Sequence, residues 1–204
     1  YIEELFSYFE NIHEDQPSTE TVVKRNQQSI YEGRGSFKQI AHLMNYYCTE
    51  GGSKQQVERL LGDFDQKYTN IYAKSITHNF DKYALCTLRN FMYNCQLSFL
   101  LQKNECTIED LCDKIDQIEN IQEETRIRNF YPYKKAIGFL IKKTKTKIEE
   151  RDTTFDYNNT IKLLDSYLGK FDKNIDWCKS HCFYPVQLLL NECIVYIEND
   201  KLFL

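Results

Sequence analysis

At 204 residues, with 42% hydrophobic and 14% aromatic side chains, the chain has enough apolar surface for one large domain or two small ones. Seven glycines and three prolines are too few for the many tight turns of a sandwich or barrel, and favour long helices with short joints. A net charge of −4 and a pI near 5.7 exclude wholesale coating of nucleic acid, so any such contact has to be local.

Residues 1–15 read as a helix with Ile2, Leu5, Phe6, Phe9 and Ile12 on one face. The stretch from Glu14 to Thr19 breaks it, and a second helix carries Val22, Val23, Asn26 and Ile30. Gly33-Arg34-Gly35 ends that helix, and Ser36 can cap a third with Phe37, Ile40, Ala41, Met44 and Cys48 inward. Gly51-Gly52 terminates the third, and Ser53 opens a fourth with Val57, Leu60, Leu61, Phe64 and Tyr68 apolar. The strongest core helix is predicted over 79–102, where Phe80, Tyr83, Ala84, Leu88, Phe91, Cys95 and Phe99 form more than one stripe. Phe91 and Leu88 are expected to be nearly inaccessible.

Thr107 and Asp110 have the spacing of a capping box for a helix carrying Ile108, Leu111, Ile115 and Ile118. Pro132 fits the first turn of the next helix, which should reach about Glu150. A helix near 158–171 and one opening at Pro185 follow. The last eleven residues alternate poorly, and Asn199-Asp200 could turn a small hairpin instead. The predicted fold is all-α: a single bundle-like domain over 1–204, of seven to nine helices packed around 79–102.

No segment has the roughly 18 apolar residues of a membrane span. The chain starts at Tyr1 and stops in the apolar Leu202-Phe203-Leu204, so a fragment of a longer protein is expected, with a membrane tether able to lie outside it. The eight cysteines fit reduced core hydrophobes of a cytoplasmic protein, and a disulfide framework is the alternative.

Charge is the most informative feature. From Arg126 to Lys147 there are eight cations (Arg126, Arg128, Lys134, Lys135, Lys142, Lys143, Lys145 and Lys147) and no Asp or Glu. The rest of the chain is correspondingly acidic. Phe130, Tyr131 and Tyr133 lie inside the run, so cations for phosphate and rings for stacking occur together. The bland alternative is a solvated helix face whose lysines cover apolar surface or pair with the acidic remainder. On a helix, Lys135, Lys142 and Lys143 can share one side, with Ile137, Phe139, Leu140 and Ile141 including the buried one.

Cys178, His181 and Cys182 have zinc-compatible types, but a structural site needs four ligands and no second tight pair follows. Trp177, Phe183 and Tyr184 around the trio read as core aromatic packing, and no metal or cofactor is expected. No Gly-x-Ser-x-Gly, Gly-rich phosphate loop or His-Glu-x-x-His occurs. Arg34 and His42 stand too far apart for the Arg-to-His pair of a HEPN-like ribonuclease, which leaves that reading third.

One ordered pattern goes further. Leu5-Phe6, Phe9 and Ile12-His13 precede Val22-Val23 and Gly33-Arg34-x-x-Phe37, and an aromatic helical stretch with Arg89-Asn90-Phe91 comes later. Over roughly residues 5–100 this resembles the family of phage abortive infection proteins, with His13, Gly33, Arg34 and Phe37 as the matching positions. The resemblance stops before 120, so the basic run inherits nothing from it. It implies the soluble part of a bacterial antiphage defence protein, whose relatives often carry membrane spans ahead of the soluble part, so tethering to the inner membrane enters as an expectation. The first functional expectation is therefore a non-enzymatic interaction module acting on a protein partner or by self-association. The second is a helical subunit meeting RNA or an acidic partner through 126–147.

Overall fold

A computed structural model describes residues 19–31, 37–72, 79–104, 106–126 and 128–202. Eight helices and no strand are present among the described residues, so the all-α expectation holds. They are α1 (Thr19–Tyr31), α2 (Phe37–Glu50), α3 (Lys54–Tyr72), α4 (Asn79–Gln102), α5 (Ile108–Thr125), α6 (Tyr131–Glu149), α7 (Tyr157–Leu168) and α8. The last begins as Asp176–Cys178, passes through a π-helical turn at Lys179–Phe183 and continues as Tyr184–Leu202. The helix expected over 1–15, the Gly33–Gly35 joint and Ser36 lie outside the described residues. No helix among the described residues is long and apolar enough to cross a membrane.

The chain divides into two compact units, Tyr1–Gln102 and Lys103–Leu204. In the first, α2, α3 and α4 pack against one another and α1 lies on α2. Local chemistry sets the α2–α3 joint. Gly51 takes φ +104, a conformation that side chains with a Cβ rarely adopt, and the Gly52 amide donates back to the Tyr47 carbonyl at 2.8 Å. A Cβ on Gly52 would stand 2.5 Å from that of Tyr47. Ser53 then accepts from the Gln56 amide while Gln56 accepts from the Ser53 amide, closing a capping box on α3. All five predicted inward residues of α3, Val57, Leu60, Leu61, Phe64 and Tyr68, are buried. Phe37 sets its ring edge-on to Phe64 at 5.3 Å, which anchors the start of α2.

Helix α4 spans the predicted residues, and Leu88 and Phe99 are buried as expected. Phe91 is not: it is only half-buried, and the core position falls to Met92, at 0% exposure. With apolar residues on several sides of the helix, periodicity alone placed the centre of the buried arc one residue early. The side chains of Phe80, Tyr83 and Ala84 lie outside the described residues. Unusually for a core helix, α4 also buries Asn90, Asn94 and Gln96.

In the second unit, α6 packs on α5, α7 and α8, and α8 also touches α7. The Thr107–Asp110 capping box forms with both reciprocal bonds, and Pro132 sits in the first turn of α6. The C-terminal hairpin does not form. Helix α8 runs through Asn199-Asp200, because Val186, Leu189 and Cys193 bury one continuous face, and the ring of Tyr196 meets that of Tyr157. Exposed Leu188, Ile194 and Val195 spoil the period in the sequence without breaking the helix.

Candidate functional site at the α5–α6 joint

Helix α6 buries Pro132, Tyr133, Ala136, Ile137, Phe139, Leu140 and Thr144, which turns most of its lysines outward. The eight cations nevertheless have different surroundings. Lys145 pairs with Glu192 of α8 at 3.5 Å, and Lys147 with Glu150 and Asp152 at 2.9 and 3.1 Å. Lys134 lies over the Trp177 ring, 4.9 Å from its centroid. Lys135 covers Tyr131 and Lys143 covers Phe139, at 5.3 and 5.4 Å. Lys142 is exposed. Two lysines of the run are thus neutralised by carboxylates, and three lie against rings.

Arg126 and Arg128 stand apart from these. Arg126 ends α5 in the left-handed region, φ 55 and ψ 18, a position more often filled by glycine. Both arginines are exposed and make no ion pair among the described residues. They line a cleft of about 700 Å³ together with Glu119, Gln122, Glu123, Phe130, Tyr133, Gly169 and Lys170.

The floor of the cleft is fully engaged. Glu119 takes the Lys170 ammonium at 2.7 Å and the Tyr133 hydroxyl at 2.7 Å, and Lys170 also lies 5.4 Å from the Tyr133 ring centroid. Burial pushes the Glu119 carboxyl up, but the Lys170 and Tyr133 hydrogen bonds outweigh it and hold the group below the usual carboxylate range. Burial and the Glu119 bond both push the Tyr133 phenol well up. The bend from α5 into α6 is fixed by Gln122, whose carboxamide accepts from the Asn129 amide at 3.0 Å and donates to its carbonyl at 3.2 Å. Phe130 follows, 45% exposed at the lip, with one side against Phe171. The hydrogen-bonded Glu119–Lys170–Tyr133 set, two exposed guanidiniums and a half-open ring can engage an anionic group beside an apolar one.

Lys170 and Phe171 belong to the joint after α7, and the basic run carries no hint of them. Only the fold brings them to Arg126 and Arg128.

The other candidates fare differently. Cys178 and Cys182 are buried, whereas His181 is exposed, stacks on Trp177 at 5.1 Å and shares its Nδ1 with Ser180 Oγ and the Trp177 carbonyl. The trio does not converge, and no group of three or more His, Cys, Asp or Glu among the described residues is placed to hold a metal ion. Trp177 and Tyr184 are 44% and 55% exposed, so the expected aromatic core around the trio is corrected to a surface. A π-helical turn at Lys179–Phe183 separates Trp177 from the helix that carries Tyr184. His13, Gly33 and Arg34 lie outside the described residues, so of the four family-matching positions only Phe37 has a structural account.

Comparison with family models, with curated proteins and with solved structures gives no match.

Proposed function

We propose that the protein is a non-enzymatic helical interaction module whose second unit holds an acidic segment of a protein partner. The observation that carries this is the pair Arg126 and Arg128, exposed and without an ion pair among the described residues, at a cleft shared with half-exposed Phe130. An acidic side chain would meet the guanidiniums in bidentate geometry, and an adjacent apolar one would cover Phe130. Lys135 and Lys142, on the outward side of α6, would extend the positive field and speed encounter. The setting we propose is bacterial antiphage defence, which rests on the resemblance of the N-terminal half alone.

RNA is the second reading, favoured by Phe130 and Tyr131 exposed beside the arginines, since rings next to cations suit single strands. Fluorescence anisotropy with a Glu-rich peptide and a single-stranded RNA of matched charge separates the two. The proposal expects peptide binding that is lost in Arg126→Glu/Arg128→Glu and kept in Lys147→Ala. RNA binding with a steep salt slope and no peptide binding would transfer the site to the second reading. Peptide binding untouched by the arginine reversal would overturn the cleft as the site.

A further inference from the structure

None of the eight cysteines forms a disulfide, and they are not equivalent. Cys178, Cys182 and Cys193 are buried. Cys86 is buried against the Tyr68 hydroxyl at 3.3 Å, Cys112 faces that of Tyr167 at 3.9 Å, and buried Cys106 turns to the neighbouring Thr107 carbonyl. Cys48 and Cys95 differ. They come from two packed helices, the last turn of α2 and the middle of α4, and both are half-buried. The Cys48 sulfur lies 3.5 Å from the Cys95 carbonyl oxygen, which puts the two cysteines side by side across the α2–α4 contact.

We propose that Cys48 and Cys95 form a hydroperoxide-sensitive pair that closes a reversible disulfide between α2 and α4. The site lies in the first unit and is independent of the cleft reading. Three features carry it: the contact of the Cys48 sulfur with the backbone of Cys95, distant in sequence, the partial exposure of both cysteines, and their placement on separate helices whose relative position a cross-link would lock. The directions of the two thiol shifts support Cys48 as the attacking sulfur. The Cys95 thiol hydrogen bond holds Cys48 below the ordinary thiol pKa, whereas the same contact and burial push Cys95 well up. Cys48 is then the sulfur more readily present as thiolate, the nucleophilic form.

The chemistry balances with a hydroperoxide as oxidant. The Cys48 thiolate attacks the outer oxygen, the O–O bond breaks, and Cys48 becomes a sulfenic acid while the alkoxide takes a proton and leaves as the alcohol. The Cys95 sulfur, giving up its proton, attacks the Cys48 sulfur. The S–O bond breaks and hydroxide leaves with that proton as water. Two thiols supply the two electrons that reduce the hydroperoxide, and a small dithiol restores both by exchange. Burial shields Cys86, Cys106, Cys178, Cys182 and Cys193 from the first step, and half-buried Cys112 is held in its thiol form by burial and by the nearby carboxylates of Asp116, Asp113 and Glu109.

The buried polar groups beside Cys95 fit a region kept for more than stability. Asn94 Oδ1 and Gln96 Oε1 are buried on either side of it without a hydrogen-bond partner.

The test is peptide mapping by mass spectrometry of the folded, full chain after brief tert-butyl hydroperoxide treatment and alkylation. A cross-link joining the Cys48 and Cys95 peptides, reversed by dithiothreitol, is expected. Cys95→Ala should instead accumulate a dimedone-reactive sulfenic acid at Cys48, and Cys48→Ala should reduce both products to background. Circular dichroism confirms that each variant is folded, and if an alanine variant is not, the serine variant at the same position, Cys95→Ser or Cys48→Ser, serves in its place. Failure of Cys48 to lose alkylation under peroxide, or a dominant cross-link between other cysteines, would overturn the proposal.

Discussion

Lys145 Nζ lies 3.5 Å from Glu192 Oε1, joining the basic face of α6 to α8 within the second unit. The contact is half-exposed on both sides, so its value is set by solvent screening more than by distance. It also withdraws one lysine from any partner.

Charge reversal should therefore sort the basic run. Lys145→Glu should cost about 0.5–1 kcal/mol, visible as a small fall in urea midpoint, and leave partner affinity nearly unchanged. Lys135→Glu/Lys142→Glu should leave stability alone but slow association at low salt, measured by stopped-flow. Equal effects of the two substitutions on association would argue against a divided face.

Core position can be read from a pair of neighbours. Met92→Ala should cost about 2–5 kcal/mol, since the side chain is fully buried. Phe91→Ala should cost clearly less, because Phe91 keeps part of its surface in water. Chemical denaturation of both variants decides the order, and a larger loss for Phe91 would contradict the orientation of α4.

The acid limb of stability should depend on Glu119. Its folded carboxyl titrates below the ordinary value of 4.5, so its contribution is complete above that pH and is lost as pH falls through the lowered value. Glu119→Gln should flatten this limb in melting curves collected from neutral to acid pH. Lys170→Ala should do the same, since it removes the first of the two hydrogen bonds that lower the carboxyl.

At alkaline pH, Tyr93 in the first unit is the reporter. Burial, then its hydrogen bond to the Asp65 carboxylate, pushes its phenol up to about 12 from 10. Ionisation is thus disfavoured in the folded state. The stabilising contribution is present below pH 10 and is lost as pH rises towards 12. Tyrosinate absorbance should include several late-titrating groups, Tyr133 among them, and Tyr93→Phe should remove one of them.

The start of α5 offers a local test. Thr107→Ala removes a cap acceptor and half of a reciprocal pair, and should cost about 1 kcal/mol by urea titration.

Much of the helical frame was legible because its determinants are local. The Gly51–Gly52 stop, the Thr107–Asp110 box, Pro132 and the apolar spacing of Val57 to Tyr68 act within a few residues of where they are written. Even the outward face of α6 follows from spacing alone. What tertiary structure decided is which groups meet across the chain. Spacing cannot say that Lys145 finds Glu192, that Lys134 lies on Trp177, or that Lys170 joins Arg126 and Arg128 in one cleft, because these contacts depend on how α6, α7 and α8 pack. The same reason explains the misplacement of Phe91 and the hairpin that became helix α8: where apolar residues surround a helix, only its neighbours determine which of them is covered.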